Sequence, residues 1–223
     1  MSIEKKWNDK PRKISIVNDT NGWSTKWCKV LEKSIIRNGD GCKLYFNYED
    51  MLPGGDIAFF LGCTKLAAPN ILSKNLLNLV VHASDLPRGR GFSPLKWQII
   101  EGKSTIIVSL LEAVSLADAG RIFLKNKIVY RGNELLNEMQ NILGKKCNAM
   151  CLNFLSKEMF PKGKAQIGKP TYYKKRTIED QKIDPYKSIY SQFNKLRVAD
   201  NTRFPTFFNI DGVDYEIKIK NKK

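Results

Sequence analysis

NLLNLVVHAS, residues 75–84, is a nearly continuous apolar run that leads into a histidine. Runs of this kind are typical of strands that are covered on both faces, as in the parallel sheets of α/β proteins. His82 is predicted to stand at the carboxyl end of this strand, and open α/β sheets bind their ligands beyond that edge. The run therefore predicts a parallel sheet and makes His82 the first candidate for a functional residue.

Strands and helices alternate on both sides of this run. Apolar segments at 13–17, 42–48, 56–63 and 104–113 predict further strands, and helical patterns end at Arg37 and cover about 69–76, 95–101 and 132–160, where Gly144 could split the last helix. The strand at 104–113 leads into SLADAG, which is predicted to bring Asp118 to the ligand-binding edge. The order predicts a Rossmann-like, doubly wound α/β fold with a mostly parallel sheet.

The chain changes character after Pro161, where it becomes basic and rich in tyrosine. Its last part, PTFFNIDGVDYEIKIK (205–220), has Asp-Gly between two alternating segments, which is a strong signal for a β-hairpin. We therefore expect a main domain over 1–160 and a C-terminal extension over 161–223 that contains a helix and the hairpin.

The composition limits the location and the partners of the protein. The net charge of +16 in 223 residues implies an anionic partner, but charge alone does not choose between nucleic acid, a membrane surface and anionic small molecules. No apolar run is long enough to cross a bilayer, and the charged start has no secretion signal behind it, so a cytoplasmic location is expected. Five scattered cysteines and one histidine do not form the closely spaced ligand set of a structural zinc site, so no metal site is predicted.

His82 is the only histidine of the chain and thus the obvious group for proton transfer near neutral pH. A lone histidine beside a core strand is often only structural, but its surroundings favour a function. HASDLPRGRG (82–91) and the downstream Asp118-Ala119-Gly120 resemble the signature of the 10-formyltetrahydrofolate-dependent formyltransferases. In that family a strand ends in Asn-x-His, followed by Ser, Leu-Pro, an Arg/Gly loop and a later Asp-Thr-Gly. The resemblance covers about 56–125.

This resemblance implies a reaction and two catalytic residues. The donor would be 10-formyltetrahydrofolate, and a neutral amine would attack its formyl carbon through a tetrahedral intermediate that gains negative charge on oxygen. Asp118 would orient His82, whose imidazole would receive the amine proton directly or through water. No metal is needed.

One position departs from the family pattern, because Val80 stands where the family has its asparagine. Asn78 lies on the same strand face as His82 but roughly 13 Å away along a regular strand. Asn78 could be brought nearer by a bulge, or a backbone N–H or Ser84 could replace the missing amide. The sequence leaves these alternatives open, with Asn78 kept as a catalytic candidate.

Two segments are candidates for substrate binding. Ser84 and the loop residues Arg88, Gly89 and Arg90 could approach phosphate oxygens, because glycine lets the backbone come close and arginine offers a bidentate fork. An exposed basic turn is the alternative. LRVADNTRFPTFF (196–208) resembles a segment of the sugar N-formyltransferases, which would make Arg197, Asn201 and Arg203 nucleotide contacts. Simple packing at the base of the hairpin is equally compatible.

VVHASDLPRGRGFSPLKWQIIEGK (80–103) looks closest to enzymes that formylate nucleotide-linked amino-deoxysugars for the O-antigen of lipopolysaccharide. The resemblance therefore implies a dTDP- or UDP-linked amino sugar as acceptor, with dTDP-4-amino-4,6-dideoxyglucose as the first choice, and folate as donor. It also implies that the protein forms a homodimer. The residues after Phe160 are too few for the extra domain of the tRNA-specific branch, so no nucleic acid is expected as a partner. No membrane partner is expected either, because no apolar run is long enough to cross a bilayer.

Three alternatives remain. The first is a phosphoribosylglycinamide-type formyltransferase, which would not need the C-terminal extension. The second, from a different class, is a basic nucleic-acid-binding module, although no recognition motif accompanies the charge. The third is a formyltransferase fold that serves only as a binding subunit, which the Val80 departure keeps open.

Overall fold

The structure is a computed structural model that describes residues 2–19 and 22–222, so Met1 and Lys223, the outermost residues of the two expected domains, lie outside it. The strands are β1 Lys13–Val17, β2 Gly41–Tyr45, β3 Gly55–Phe60, β4 Asn75–His82, β5 Arg90–Gly91, β6 Thr105–Glu112, β7 Ile122–Val129, β8 Tyr172–Tyr173, β9 Thr206–Ile210 and β10 Val213–Ile217. The helices are α1 Ile3–Lys6, α2 Thr25–Arg37, α3 Pro69–Leu72, α4 Pro94–Ile100, α5 Leu136–Leu155 and α6 Ile189–Arg197, with a 3-10 turn at Ile178–Gln181.

A six-stranded sheet in the order β2-β1-β3-β4-β6-β7 forms the centre of the protein. The first four strands of this order are parallel, whereas β6 runs antiparallel to β4 and β7 runs antiparallel to β6. Alternate residues of β3 enter different cores, because Phe59 packs into the larger core with α2 and α5 while Phe60 packs into a smaller core on the other face. The sheet is thus covered on both faces, and the predicted fold class is confirmed.

β4 ends at His82, as the apolar run predicts. The prediction for the second candidate strand is only half right, because β6 forms but runs against β4, with His82 paired to Ser109 and Leu79 paired to Glu112. Asp118 therefore does not follow a parallel strand. It reaches the neighbourhood of His82 through the loop that joins β6 to β7, which starts beside Asn78, where the N–H of Ala113 donates to the Asn78 carbonyl.

Three local predictions need correction. β7 was not predicted, because its exposed Lys125-Asn126-Lys127 centre interrupts the apolar pattern, as is usual for edge strands. α3 has only four residues, since β4 already begins at Asn75. α5 runs without a break through Gly144, whose missing side chain leaves room for the Trp27 ring of α2.

The N-terminal segment is attached to the core by a buried ion pair. The Arg12 guanidinium donates to both carboxylate oxygens of Asp40, with Nη2 2.6 Å from Oδ2, and to the carbonyl oxygen of Leu155 at 3.0 Å. Its Cζ lies 4.8 Å from the centroid of the Trp7 ring. Both charged side chains are almost completely buried, so each depends on the other for charge compensation.

The part of the chain after Pro161 pairs with the preceding part through short backbone contacts. Lys164 pairs with Ile122 at the start of β7, and the short strand β8 pairs with β5. The predicted hairpin is confirmed as β9 and β10, with Asp211 and Gly212 both at positive φ, as a two-residue type I′ turn requires.

None of the helices in the described ranges combines the length and the apolar character that crossing a bilayer would require.

Candidate functional site

His82 is held between two oxygen acceptors at the end of β4. Its Nε2 lies 2.8 Å from the carbonyl oxygen of Gly89, and its Nδ1 lies 3.4 Å from Oδ1 of Asp118. A carbonyl oxygen can only accept, so Nε2 carries a proton and donates it to Gly89. In the neutral ring the lone pair is then at Nδ1, beside the carboxylate. Nδ1 is thus the atom at which the ring can take up a proton, and Asp118 would stabilise the resulting charge.

Asp118 is fixed by its own set of hydrogen bonds. Its Oδ2 accepts from the Gly91 N–H at 2.9 Å, and its backbone carbonyl accepts from Nε2 of Gln166 at 2.7 Å. The residue has φ 52°, a region that aspartate and asparagine tolerate better than most residues. Gln166 also accepts from Nη2 of Arg90 at 2.7 Å, so it connects the Asp118 loop with the Arg/Gly loop.

Two cavities meet at His82. The tryptophan cavity, of about 240 Å³, lies against α2 and α5 and includes Trp23, Trp27, Lys96 and Gln140 in its wall. The valine cavity, of about 300 Å³, lies on the other side. Its wall includes Leu66, Val80, Phe92, Val114 and Asp118. Both cavities are lined by Gly62, Cys63, Val81, His82, Ser93 and Pro94. A molecule in each cavity would reach the same imidazole.

Ser93 also lies where the two cavities meet, although no sequence pattern selects it. It precedes α4 with φ 49°, an unusual value for a serine. Strained backbone of this kind is frequent at functional sites, because surrounding structure must hold it in place. Ser93 is therefore an additional polar side chain at the junction.

The structure does not bring Asn78 to this junction. β4 keeps an uninterrupted register with β3 and β6 from Asn78 to His82, so no bulge moves the side chain forward. Its Nδ2 instead donates to the Leu72 carbonyl at 2.8 Å. Val80 occupies the wall of the valine cavity, and Asn78 lines neither of the two cavities.

The Arg/Gly loop mainly builds the site rather than lining the two cavities. Gly89 supplies the carbonyl that accepts from His82, and Arg90 is buried with its guanidinium bound by Gln166 and, at 3.4 Å, by the Tyr172 hydroxyl. Ser84 and the exposed Arg88 line a separate cavity that His82 does not reach. The Ser84 hydroxyl is buried and has no partner among the described residues.

The three candidates in the C-terminal segment lie outside both cavities. Arg197 is 3% exposed, and its Nε donates to the side-chain oxygen of Asn194. Its guanidinium also lies 3.5 Å from the Glu134 carboxylate. Asn201 exchanges hydrogen bonds with the backbone of Ile219. Arg203 is largely exposed and donates to Asp200. Asn201 thus packs at the base of the hairpin, in agreement with the alternative to a nucleotide contact.

Burial controls the charges within the tryptophan cavity. It lowers the pKa of Lys96 to about 8, and the nearby Arg176 adds to this effect. The same cavity is lined by Cys28, Cys63 and Cys147, whose pKa values burial raises to between about 11 and about 12. The thiols are therefore neutral at physiological pH, and Lys96 is the lysine of this wall.

No family model matches the sequence. Several solved structures share the fold. A methionyl-tRNA formyltransferase from Clostridium thermocellum has a TM-score of 0.79 at 21% identity, with 95% of this chain and 94% of that chain covered. A sugar N-formyltransferase from Shewanella has a TM-score of 0.64 at 13% identity, with 95% and 98% covered. HypX from Aquifex aeolicus in complex with tetrahydrofolic acid has a TM-score of 0.73 at 15% identity.

In the HypX comparison, the match covers 94% of this chain but only 38% of the HypX chain. At these identities the likeness shows the fold, which is the fold of formyltransferases.

Proposed function

We propose that this protein is an N-formyltransferase that transfers a formyl group from 10-formyltetrahydrofolate to the amino group of a nucleotide-linked amino-deoxysugar, with dTDP-4-amino-4,6-dideoxyglucose as the first candidate. The observation that carries the proposal is the position of His82, paired with Asp118, where the tryptophan and valine cavities meet. A group transfer between two molecules needs two binding sites that share one reacting centre.

The chemistry of the two walls favours one assignment of donor and acceptor. The valine cavity has mostly apolar walls, including Leu66, Val80 and Phe92, and would suit the flat ring system of a folate. The folate would supply an activated formyl group. The tryptophan cavity combines aromatic rings with Lys96 and Gln140 and would suit a sugar that carries an anionic group. The folate complex of HypX and the sugar N-formyltransferase among the similar structures support a folate donor and a sugar acceptor.

The residues of this chain would act on the proton of the amine. His82 would accept it at Nδ1, because Nε2 is occupied by its hydrogen bond to the Gly89 carbonyl. Asp118 would hold the ring and stabilise the charged form, while Gln166 holds the Asp118 loop. Asn78 and Ser84 line neither cavity. Of the three groups that could replace the family asparagine at Val80, a backbone N–H is therefore the one that remains.

Several further parts of the proposal rest on the family resemblance. Residues 1–160 would form the catalytic domain and 161–223 an extension, and the protein would act as a homodimer in the cytoplasm. Its product would be used for the O-antigen of lipopolysaccharide. The choice between dTDP and UDP depends on contacts to the nucleotide.

A second acceptor deserves a direct test, because a similar structure is a methionyl-tRNA formyltransferase of nearly the same extent as this chain. The expectation that a chain of this length is too short for a tRNA acceptor therefore loses its basis. The net charge of +16 is also compatible with tRNA. Methionyl-tRNA is the second candidate acceptor.

The test is a transfer assay read by mass spectrometry. The protein is incubated with 10-formyltetrahydrofolate and, separately, dTDP-4-amino-4,6-dideoxyglucose, its UDP counterpart, phosphoribosylglycinamide and methionyl-tRNA. We expect one carbonyl unit to be added to a nucleotide sugar, and His82→Gln to reduce the rate by about 100-fold or more. Formylation of none of these amines, or an unchanged rate in His82→Gln, would refute the proposal.

A further inference from the structure

The wall of the tryptophan cavity contains polar side chains that have no partner within the protein. Lys96, on α4, makes no hydrogen bond or ion pair with any residue in the described ranges. Gln140, on α5, is only 8% exposed, and its side-chain amide also has no partner there. Nε1 of Trp27 is buried and unpaired as well. The Lys96 ammonium and the Gln140 amide remain accessible from the cavity, so both are free to bind a polar ligand there, next to the buried and unpaired Nε1 of Trp27.

The charge around Lys96 is not balanced by its neighbours. The charged groups close enough to affect it are Arg176, Asp200 and Arg203, and two of these are cations. The single anion, Asp200, is already bound by Nε of Arg203 at 2.9 Å and by the backbone N–H groups of Thr202 and Arg203. An ammonium that is partly removed from water without a counterion is costly, so its position favours an anion supplied from outside.

We propose that Lys96 and Gln140 form a phosphate-binding site that recognises the acceptor in the tryptophan cavity. This inference rests on the proposed function insofar as it treats that cavity as the acceptor site. Lys96 would supply a compact positive charge with three donors, and the Gln140 amide would supply two more N–H groups from the opposite helix. The phosphate could belong to a nucleoside diphosphate or to a sugar monophosphate, which share this chemistry.

The site has a pH dependence with a defined sign. The pKa of Lys96 is near 8 in the free protein, and a bound phosphate would raise it, so binding near pH 8 takes up a proton. Arg176 and Arg203 oppose the charged form of Lys96, and Asp200 supports it. The affinity for a phosphate is therefore expected to fall as the pH rises above 8.

Calorimetric titration of the full chain, without folate, tests the site. The probes are dTDP and ribose 5-phosphate, which distinguish the two sources of phosphate. Lys96→Met and Gln140→Leu remove the proposed contacts, and Lys33→Met removes the same charge from an exposed position of α2. At pH 7 we expect Lys96→Met to weaken the better probe about tenfold or more and Lys33→Met to change it less than twofold. Gln140→Leu should have an intermediate effect.

The wild-type protein should lose most of its advantage over Lys96→Met at pH 10, where Lys96 is neutral. Equal binding by Lys96→Met and the wild type at pH 7, an equal loss in Lys33→Met, or no binding of either probe by the wild type would overturn the inference. This titration requires no formyl transfer. A Lys96-dependent titration together with a negative transfer assay would keep the phosphate site and reject the formyltransferase function.

Discussion

Nδ1 of His82 lies 3.4 Å from Oδ1 of Asp118, although the first residue ends a strand and the second belongs to a loop between two other strands. The antiparallel direction of β6 makes this possible. Its chain passes His82 at Ser109, leaves the sheet beside Asn78, and returns through the loop to the imidazole. The two residues therefore reach the same place from different parts of the chain: His82 ends β4, and Asp118 arrives through the loop between β6 and β7.

Asp118→Asn should separate the electrostatic role of this carboxylate from its structural role. Asparagine tolerates the φ of 52°, and its Oδ1 can still accept from the Gly91 N–H, so the fold should be kept. The negative charge beside Nδ1 is lost. We expect the rate of formyl transfer to fall about 100-fold or more, with a change of less than about 1 kcal/mol in the free energy of unfolding.

The matched variant for that experiment is Asp118→Ala, which removes the charge, the acceptor and the preferred backbone conformation together. It should be as inactive as Asp118→Asn and less stable by about 1 to 2 kcal/mol. Rates measured by mass spectrometry and urea denaturation decide the matter. A fully active Asp118→Asn would show that the carboxylate has no electrostatic part in the reaction.

Lys96→Met should stabilise the protein at neutral pH. Burial lowers the pKa of Lys96 from 10.5 to about 8, so the unfolded chain binds more protons than the folded chain between these values. The free energy of unfolding of the wild type therefore rises with pH across this window, and the charged Lys96 side chain destabilises the folded protein below pH 8. We expect Lys96→Met to gain up to ~3 kcal/mol at pH 7.

The gain of Lys96→Met should shrink between pH 8 and pH 10.5, as the wild-type lysine loses its proton in the folded state. Urea denaturation of both proteins at pH 7 and pH 10 measures it, with Lys33→Met as the exposed control. A loss of stability in Lys96→Met at pH 7 would contradict the proposed burial of an uncompensated charge.

Arg12→Met should be strongly destabilising, because it leaves the Asp40 carboxylate buried without its guanidinium partner and frees the Leu155 carbonyl. Removing one member of a buried pair typically costs about 3 to 5 kcal/mol. The double variant Arg12→Met/Asp40→Leu removes both charges and should recover part of this loss. Urea denaturation of the two single variants and the double variant gives the coupling, and additive effects would show that the pair is not coupled.

Gly144→Ala should destabilise the protein although alanine is the better helix former. A Cβ at this position would overlap the Trp27 ring, so α2 and α5 would have to move apart. We expect a loss of about 1 to 3 kcal/mol, against a gain of about 1 kcal/mol that the helix propensity alone would give. Lys145→Ala, at the exposed neighbouring position, should change the stability by less than about 0.5 kcal/mol. A stabilised Gly144→Ala would contradict the close packing.

The sequence predicted the features that depend on local chemistry. The apolar run to His82 and the Asp211-Gly212 turn were correct, because burial and positive φ leave clear signatures in the residues themselves. The direction of β6 was not predictable in this way. Its apolar run reports that both faces are covered, and it is the same for either direction of the strand.

The partners of the polar residues were the least predictable part of the site. Arg90 was expected to meet a phosphate, but Gln166 already binds its guanidinium from a segment with no recognisable pattern. Lys96 was not selected, because a lysine in a short helix is usually exposed to water. Only the approach of Arg176 and the segment around Asp200 to α4 changes its surroundings.

Gln166 has a consequence for the integrity of the enzyme proposed here. Its amide donates to the carbonyls of Asp118 and Gly120, and its oxygen accepts from Arg90, so one side chain beyond Pro161 spans both loops next to the imidazole. A single proteolytic cut just before it, at the exposed Lys162, would leave the sheet and its two cores intact. The protein would then remain folded while losing its activity. A melting curve alone would not detect this loss.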